Sequence, residues 1–540
     1  MTTSPVEVPR TSIGVGKRSI RASRAPGRID AARAGSDQVA RQPRSRFRPS
    51  TTAALVGVLA VATFVRLWKL DATGLNSDEI VYVSQGASLA GDPAFASRFP
   101  IFRAHPLLFQ SLLAIIHTYS GSDFLARLAS VAFGVVSVLL VFAIGRRLYD
   151  ATVGLAAAGI FALMPYHVVV TRQVLLDGPM VCFLLLAMYT LVRFAETNRW
   201  PWLYATSAAL GLSFLTKETA AVNVGIVVLF LSLTPAIKVK LRHIIGAGAV
   251  LGLMMLEFPL AVSSTKRQNQ GHNFLVWQLV RRPNHTFDFY LHVIPPALGW
   301  GVVILAAVGL LATWRQRSWR EILLVSWVLV PAVFFELWPV KGFQYLLPIA
   351  PAVALIAARG LVWVVRWPRL HTSRALELVA VPLVVLALFA SLAVPTWRKI
   401  TPSTSGAFLA GSGGLAGGRE AGHWIDRHVP LGSQLLALGP SMANVIMYYG
   451  HRQAYGLSVS TNPLHRNPVY IPLDNPDRAI SEGQVQYLVW DSYTSGRTSF
   501  YTSTLYRYVT KYNARLVHIE RVRPGDQRSR VVVKIYEVRP

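Results

Sequence analysis

Two adjacent carboxylates, Asp78 and Glu79, lie in the stretch "LWKLDATGLNSDEIVYVSQG", directly after a long apolar run. A carboxylate close to low-dielectric surroundings is costly, and for that reason it is more often functional than one in an ordinary loop. Such a group can accept a proton from a hydroxyl nucleophile. A solvated pair of loop acids is the simpler interpretation, and the pair taken alone does not exclude it.

Further polar residues stand at the ends of other apolar segments. "TRQVLLDGP" contains Arg172 and Asp177, "LSFLTKETAAV" contains Lys217, and "ELWPVKGFQYLLPIAP" contains Lys341 and Tyr345. Lysine and arginine in such positions can bind a phosphate. Helix capping, a tight turn or a snorkelling side chain explains each residue when it is considered singly.

The segment "RFPIFRAHPLLFQSLL" adds Arg103 and His105 just before an amphipathic stretch. A surface anchor and a contact with a headgroup or substrate are both open for these two residues. The whole set is more informative than its members, because acids and cations together suit the attack of a hydroxyl on a sugar that is linked to a lipid phosphate. One carboxylate takes the hydroxyl proton, and the cations stabilise the departing phosphate.

No cofactor is predicted for this chemistry. A divalent metal beside Asp78 and Asp177 stays open, although no residue spacing in the chain predicts a set of metal ligands.

The composition indicates which elements position these residues. The chain has 540 residues, of which 52% are hydrophobic and 15% charged, with a mean hydropathy of +0.40. Soluble domains carry roughly a quarter charged residues, so lipid is the expected solvent. The net charge of +28 comes mostly from an N-terminal arm and short loops, which is typical of membrane topology and disfavours nucleic-acid binding. The single Cys182 lies in an apolar run and cannot form an intrachain disulfide.

Apolar segments long enough to cross roughly 30 Å of hydrocarbon recur from residue 51 onward. They predict an α-helical polytopic membrane protein with about eleven transmembrane helices. The predicted spans are 51–70, 125–145, 151–171, 178–194, 200–216, 219–234, 243–263, 294–313, 321–338, 345–364 and 376–396. The segment 105–121 is a rival candidate, which we interpret as an amphipathic helix along the outer interface.

Basic loops give an orientation to these helices. With the N-terminus in the cytoplasm, every loop predicted on that side is basic, as expected for the cytoplasmic side of a cell membrane. These loops contain Arg146 and Arg147; Arg193 and Arg199; Lys238, Lys240 and Arg242; Arg315, Arg317 and Arg320; and Arg366, Arg369 and Arg374. The candidate acids and cations then lie on the outer face, together with everything after residue 397.

Four regions are predicted along the chain. Residues 1–50 form a disordered basic cytoplasmic tail that can touch anionic lipids, and 51–396 form the transmembrane domain. Residues 397–418 form a Gly/Ser-rich linker. Residues 419–540 form an extracytoplasmic, soluble α/β domain, because helical stretches alternate with short apolar strands. The predicted order is helix, strand, helix, strand, strand, helix, strand, strand.

The pattern of motifs resembles a known family. The acid pair after the first span, "HPLLFQSLLA", the long block from "ARLASVAFGVV" to "DGPMVCFLLL", "GLSFLTK" and "KGFQYLLPIAPAVAL" resemble, in order, the membrane glycosyltransferases with the GT-C fold. Within these, the chain is similar to the protein O-mannosyltransferase and aminoarabinose transferase superfamily over roughly residues 51–360.

The resemblance implies an inverting glycosyltransferase of the plasma membrane that uses a polyprenyl-phosphate sugar. The acceptor would be a hydroxyl of a cell-envelope glycan, a lipid or a protein. Asp78 matches the catalytic base with Glu79 beside it, Asp177 matches the acid of the second loop, and Lys217, Lys341 and Tyr345 fall where the family handles the lipid phosphate.

The chain departs from the family pattern in two motifs. "HPL" replaces "HPP", and Gln344 stands where arginine is frequent. The C-terminal region also differs from the sugar-binding repeats of the eukaryotic protein mannosyltransferases.

Two other functions fit a chain of this composition. A transporter or flippase of lipid-linked precursors usually carries ionisable residues at mid-membrane or repeated halves, and neither pattern stands out here. A non-enzymatic scaffold that presents the C-terminal domain would make the set of acids and cations a coincidence.

Overall fold

The computed structural model describes residues 49–101, 105–264, 277, 283–313, 318–366, 374–401, 415–462, 470–523 and 525–538. The predicted tail of residues 1–50 lies almost wholly outside this part of the chain, as does Arg103. Most of the predicted linker at 397–418 also lies outside it, and residues 397–400 are helical.

Helices dominate the described chain up to residue 400. They are α1 (Pro49–Leu67), α2 (Ser77–Leu89), α3 (Pro93–Ala96), α4 (Leu108–Tyr119), α5 (Asp123–Leu148), α6 (Ala151–Leu163), α7 (Pro165–Thr171), α8 (Asp177–Thr197), α9 (Trp200–Thr216), α10 (Val224–Leu233), α11 (Leu241–Ser264), α12 (Phe289–Leu298), α13 (Trp300–Thr313), α14 (Trp319–Leu337), α15 (Ala350–Val365) and α16 (Arg374–Ile400). Two 3₁₀ helices, Glu218–Asn223 and Phe343–Ile349, precede α10 and α15.

The chain is a multi-pass membrane protein. Among the described residues, six helical segments are long and apolar enough to cross a membrane, and the number is eight if each of two bent helix pairs is one span. The prediction of about eleven spans is therefore not confirmed. Helices α9 and α10, predicted as separate spans, have 17 and 10 residues, which is shorter than the ~20 residues that a crossing needs.

The two bends have identifiable causes in the sequence. Helices α6 and α7 meet at 60° where Pro165 begins α7, because proline fits the first turn of a helix but cannot continue one. Helices α12 and α13 meet at 95° around Gly299, whose φ of +94° is a conformation that side chains rarely adopt. The predicted span 151–171 is thus a broken helix pair.

Small residues let the helices pack closely. Gly145 of α5 faces Gly154 of α6, and a Cβ on Gly145 would lie 2.9 Å from the Cα of Gly154. Gly309 of α13 and Gly360 of α15 make a similar backbone approach. In a lipid environment such van der Waals contact is a main source of helix association.

The C-terminal region contains every helix and strand that the sequence predicts. It comprises α17 (Gly418–His428), β1 (Gln434–Ala437), α18 (Pro440–Tyr449), β2 (Gln453–Gly456), α19 (Pro476–Ser481), β3 (Tyr487–Asp491), α20 (Ser492–Ser495), α21 (Ser499–Lys511), β4 (Arg515–Arg521) and β5 (Val531–Glu537). The strand order is β2-β1-β3-β5-β4, with β1 parallel to β2 and β3, and β5 antiparallel to β3 and β4.

Helices cover both faces of this sheet. Leu436 and Leu488, which are register partners, belong to a core with Leu505 of α21. On the other face, Leu435 and Val489 share a core with α18.

That second core continues into α2 and α4 through the side chains Ile80, Val83, Ala87, Phe109 and Leu113. The α/β region is therefore packed directly against the segment that carries Asp78 and Glu79.

Candidate active site

The N-terminus of α2 places Asp78 and Glu79 in different surroundings. Asn76 is the N-cap, and its Oδ1 accepts hydrogen bonds from the backbone N–H groups of Asp78 (2.9 Å) and Glu79 (3.1 Å). The Glu79 carboxylate accepts the Asn76 backbone N–H at 2.9 Å, which completes a capping box. This turn fixes the backbone at both acids and directs their side chains to different neighbours.

Glu79 is fully buried and has several donors. Arg127 of α5 donates to both of its carboxylate oxygens, each at 2.8 Å, and the Val174 N–H donates to Oε1 at 3.0 Å. Arg127 also donates to the carbonyls of Leu70 and Thr73. The Glu79–Arg127 pair thereby joins the loop after α1, the start of α2, helix α5 and the loop before α8.

Asp78 is half-buried, and its carboxylate has no hydrogen-bond or ion-pair partner among the described residues. Burial raises the pKa of Asp78 above its ordinary value; Lys217 and His105 oppose this rise, and Asp177 and Glu79 add to it. A carboxylate with a raised pKa and no bound donor is a competent proton acceptor. The structure brings Asp78 near Lys217, His105 and Asp177, from three different loops.

Asp177 and Lys217 form a buried ion pair beside Asp78. Lys217 Nζ donates to Asp177 Oδ1 at 2.8 Å and to Oδ2 at 2.9 Å. The same Nζ lies 5.1 Å from the ring centroid of Tyr345, a cation–π distance. An ammonium has three donors, and Asp177 is the only acceptor that Lys217 Nζ bonds among the described residues, so one N–H remains for an anionic ligand. The predicted residues Asp177, Lys217 and Tyr345 thus occupy one place.

His105 and Glu218 line another side of this place. His105 Nδ1 and Glu218 Oε2 are 2.6 Å apart, and both side chains are largely buried. The Tyr82 ring, one helical turn after Asp78, packs edge-on against His105 with centroids 5.9 Å apart. His105 is therefore held beside the start of the 3₁₀ helix that follows Lys217.

Lys341 is also buried but has its own carboxylate. Its Nζ donates to Glu336 Oε1 at 3.1 Å and to the Glu336 carbonyl at 2.6 Å, and it lies 5.1 Å from the Tyr290 ring centroid. Asn284 exchanges two hydrogen bonds of 2.8 Å with the Lys341 backbone. An anion would have to compete with Glu336 for this ammonium.

Arg172 contacts the end of a helix. Its guanidinium donates to the carbonyls of Val65 (3.0 Å) and Arg66 (2.8 Å) in the last turn of α1. A cation in this position caps a helix C-terminus. These bonds favour the interpretation of Arg172 as a helix-capping residue. Among the described residues, no contact joins Arg172 to Asp78. The other predicted arginine, Arg103, lies outside the described residues.

The C-terminal region contributes residues to this site that sequence reasoning missed. Burial raises the pKa of Tyr493, Arg497 lowers it, and Asp78 raises it, so the phenol and the carboxylate lie within electrostatic reach. The Tyr493 hydroxyl is buried without a hydrogen-bond partner among the described residues. Arg497 stacks over the Tyr493 ring at 4.0 Å. Burial lowers the pKa of His285, and the charges of Arg497 and Lys341 lower it further.

Different signals were available for the missed residues. Tyr82 lies four residues after Asp78 on one helix, a spacing that places both on one face, so periodicity could have found it. Glu218 adjoins Lys217 in the sequence. Nothing in the sequence relates Tyr493 to Asp78, because their proximity depends on how the α/β region packs against α2. Among the described residues, no group of three or more His, Cys, Asp or Glu side chains is arranged to hold a metal ion.

Comparison with protein families gives one match within this region. Residues 104–261 match the profile of the family described as dolichyl-phosphate-mannose-protein mannosyltransferase. This segment contains His105, Asp177 and Lys217, and it ends before Lys341.

Curated relatives include several aminoarabinose transferases. The chain is 30% identical over 274 residues to undecaprenyl phosphate-alpha-4-amino-4-deoxy-L-arabinose arabinosyl transferase 1 of Sodalis glossinidius, covering 45% of this chain and 46% of the relative. It is 28% identical over 358 residues to the like-named protein of Pseudomonas aeruginosa, covering 60% and 62%. The chain spans about half the length of most of the curated relatives it matches.

Solved structures share the fold over most of the chain. ArnT from Cupriavidus metallidurans in the apo state superposes with a TM-score of 0.63 at 15% identity, over 90% of this chain and 97% of that one. The archaeal oligosaccharyltransferase AglB from Archaeoglobus fulgidus superposes with a TM-score of 0.56 at 13% identity, over 87% and 73%. At these identities the likeness shows the fold alone.

Proposed function

We propose that this chain, which belongs to the GT-C-fold superfamily of protein O-mannosyltransferases and aminoarabinose transferases, transfers a sugar from a polyprenyl-phosphate donor to a hydroxyl acceptor. The observation that carries the proposal is the Asp78 carboxylate, which has no partner among the described residues and lies beside the buried Asp177–Lys217 pair. These groups supply a base and a phosphate-binding cation in one place.

The reaction we propose is a single displacement. The acceptor oxygen bonds to the anomeric carbon of the sugar as the bond from that carbon to the phosphate oxygen breaks. Asp78 takes the hydroxyl proton, and the electron pair of the broken bond leaves with the lipid phosphate. The free N–H of Lys217 stabilises that phosphate, and Asp177 holds the ammonium in place. The configuration at the anomeric carbon inverts.

The names of relatives agree with this donor class. The curated relatives are named for an undecaprenyl phosphate sugar, and a structure of ArnT from Cupriavidus metallidurans is bound to undecaprenyl phosphate. An AglB structure contains dolichol phosphate. We therefore propose a polyprenyl phosphate carrying a pentose or hexose as donor, and a cell-envelope glycan, lipid or protein as acceptor.

We propose roles for the remaining predicted residues as well. Glu79 is a positioning residue, because its oxygens are occupied by Arg127, Asn76 and Val174. Arg172 orients the end of α1. Lys341 and Tyr345, with His105, line the approach of the lipid phosphate. Arg103 stays a prediction for substrate contact.

We also propose the predicted topology, with the N-terminus in the cytoplasm and the C-terminal domain outside the cell membrane. The domain limits at 51–396 and 419–540 stay predictions. The predicted cytoplasmic loops are basic, which supports this orientation. On this topology the site faces the compartment that contains envelope acceptors.

Transfer by the reconstituted protein tests the function. The full chain in nanodiscs receives a polyprenyl phosphate carrying a labelled sugar, with a cell-envelope extract as acceptor, and label in water-soluble or acceptor fractions is measured. We expect Asp78→Asn to reduce transfer by roughly 10²–10⁴-fold, the usual contribution of a general base. Asp71→Asn is the matched control, since Asp71 lies in the loop that precedes α2 and pairs with Arg419 at 3.2 Å. Full activity in Asp78→Asn would exclude the mechanism.

A further inference from the structure

The loop that joins α7 to α8 is buried, although loops usually run over a protein surface. Its residues 173–176 are each at most 2% exposed. Leu175 packs in the core of the helical bundle, whereas Val174 and Leu176 pack in the core that the sheet shares with α2 and α4. A buried loop has to find partners for its polar groups inside the protein, so the hydrogen bonds of this loop show what it holds in place.

Two sides of the candidate site are bonded to this loop or to the residue that follows it. Asp177, the first residue of α8, accepts two hydrogen bonds from Lys217 Nζ. On the other side, the Val174 N–H donates to Glu79 Oε1 at 3.0 Å. Only two residues separate Val174 from Asp177 in the chain. The loop therefore links the phosphate-binding pair to the helical turn that carries the candidate base.

Gln173 adds a bond between two buried side-chain amides. Asn76 Nδ2 donates to Gln173 Oε1 at 2.7 Å, and Gln173 Nε2 donates to the Val169 carbonyl at 3.1 Å. Because a carbonyl oxygen only accepts, the Gln173 amide cannot turn over without placing its own oxygen against that of Val169. The Asn76 amide in turn presents Oδ1 to the N–H groups of Asp78 and Glu79. Each amide is thus held in one orientation by its partners.

This amide–amide bond is not needed for helix capping as such. An N-cap residue requires only a side-chain oxygen, and serine or aspartate serves as well as asparagine. The Asn76 Nδ2 group makes an additional bond, which ties the cap to the loop before Asp177. Loss of the Gln173 amide would leave this donor buried without a partner, a costly state that movement of the Asn76 side chain would relieve. Such a movement would shift the backbone of Asp78, whose N–H bonds Asn76 Oδ1 at 2.9 Å.

We infer that Gln173 is a positioning residue for the base. Through Asn76 it fixes the first turn of α2, and through the backbone of its loop it keeps Asp78 in register with Asp177 and Lys217. The inference rests on the proposed transfer reaction, and it adds a residue that acts through Asn76 rather than through contact with either substrate. A misplacement of about 1 Å between reacting groups can cost on the order of 10²-fold in rate, so the bond matters for turnover.

Two substitutions remove the bond from opposite sides. Gln173→Leu removes the acceptor, and Asn76→Ser removes the donor while it keeps an oxygen that caps α2. Transfer by the full chain in nanodiscs is measured over a range of donor and acceptor concentrations. We expect kcat to fall about 10–100-fold in each variant, with both KM values unchanged, because neither side chain binds a substrate. The double variant should have about the kcat of either single variant, because the two substitutions remove one shared bond.

Gln110→Leu is the matched control. Gln110 is fully buried, and its Nε2 donates to Gln85 Oε1, further along α2, at 3.3 Å. The control therefore removes a buried glutamine that is bonded to the same helix, away from the cap, and it should keep the wild-type kcat. If Gln173→Leu does not fold, Asn76→Ser measures the same bond.

Hydrogen–deuterium exchange gives a second measurement that does not depend on turnover. The N–H groups of Asp78 and Glu79 bond Asn76, so we expect a peptide that contains both to exchange faster in Gln173→Leu and at the wild-type rate in Gln110→Leu. A wild-type kcat in folded Gln173→Leu, or losses that add in the double variant, would overturn the positioning role. A wild-type chain that transfers no sugar, together with faster exchange in Gln173→Leu, would overturn the reaction and leave Gln173 as the residue that orders the cap.

Discussion

Asp78 and Glu79 are consecutive residues in one helical turn, yet their surroundings differ in nearly every respect. Glu79 is fully buried, is bonded by Arg127 through both oxygens and accepts two backbone N–H groups. Asp78 is half-buried and has no partner among the described residues. The Glu79 carboxylate connects four segments of the chain, and the Asp78 carboxylate is left available to accept a proton.

The difference shows how a rigid acid can support a reactive one. A general base must be held in position, yet its carboxylate oxygens must stay free of hydrogen bonds so that they can accept a proton. The capping box and the Glu79–Arg127 pair fix the backbone at residue 78, so the Asp78 side chain needs no bonds of its own. Substitutions at the two positions should therefore have opposite consequences.

The largest effect is expected for Glu79→Gln. It leaves Arg127 as a buried charge without an acid partner, a change that typically destabilises by about 3–5 kcal/mol. We expect a large fall in the thermal midpoint in detergent and in the yield of folded protein. Asp78→Asn, measured beside it, should retain the wild-type yield. Equal losses in the two variants would mean that the adjacent acids share one role.

Substitution of the buried Asp177–Lys217 pair tests whether Lys217, although paired with Asp177, also binds the lipid phosphate. The double variant Asp177→Asn/Lys217→Gln removes both charges together, so neither remains uncompensated. We expect affinity for undecaprenyl phosphate to fall by roughly 10–100-fold, which corresponds to about 1.5–3 kcal/mol for hydrogen bonds to a charged group. The exposed pair Arg147–Glu196, 2.9 Å apart, provides a double-variant control that should bind normally. Normal lipid binding in the first double variant would limit Lys217 to a structural role.

Asp491 extends the comparison to a buried acid in which only one carboxylate oxygen has a hydrogen-bond partner among the described residues. Its Oδ1 accepts the Thr494 N–H at 2.7 Å, its Oδ2 has no partner among the described residues, and burial raises the pKa of Asp491 to about 6. Because the folded pKa is the higher one, the contribution to stability is fully present below the ordinary carboxyl pKa of about 4 and is lost as pH rises from there to about 6. We expect the free energy of unfolding to fall by on the order of 1–1.5 kcal/mol between pH 5 and pH 7.5. Asp491→Asn should remove this dependence, and a slope that persists in the variant would assign it to another group.

The smallest effect is expected for the stability of Asp78→Asn. Burial raises the pKa of Asp78, so the ionised form lowers the stability of the folded chain at neutral pH. The variant should therefore melt slightly above wild type at pH 8, and the two proteins should converge as pH falls below the Asp78 pKa. For the same reason the acid limb of the wild-type transfer rate should lie above the ordinary carboxyl range. A variant that melts below wild type at pH 8 would show that the carboxylate stabilises the fold.

The sequence was most informative where structure depends on local pattern. The alternation of short apolar strands and helices after residue 418 predicted eight of the ten described elements from α17 to β5 in the correct order, and it missed the short helices α19 and α20. Membrane helices were also identified as apolar segments, but the predicted division of these segments into about eleven spans is not confirmed. The lengths of short helices such as α9 and α10 depend on packing within the bundle, which composition does not reveal, whereas the bends at Pro165 and Gly299 have a local cause in the sequence.

The site was only partly predictable, for a related reason. Asp78, Asp177, Lys217 and Tyr345 are brought together in the structure, and each was chosen because a charged or phenolic group at the end of an apolar segment is costly without a function. The role of Glu79 could not be read from the sequence, because its partner Arg127 is 48 residues away. Tyr493 is more than 400 residues from Asp78, so only the three-dimensional structure relates the two.

The core that runs from β1 and β3 through α18 into α2 has a consequence for protein engineering. The α/β region cannot be replaced independently of the helices, because Ile80, Val83 and Phe109 would lose the surface that shields them from water. A chimera that takes this part from a homologue must therefore also inherit α2 and α4, and with them the residue that we assign as the base.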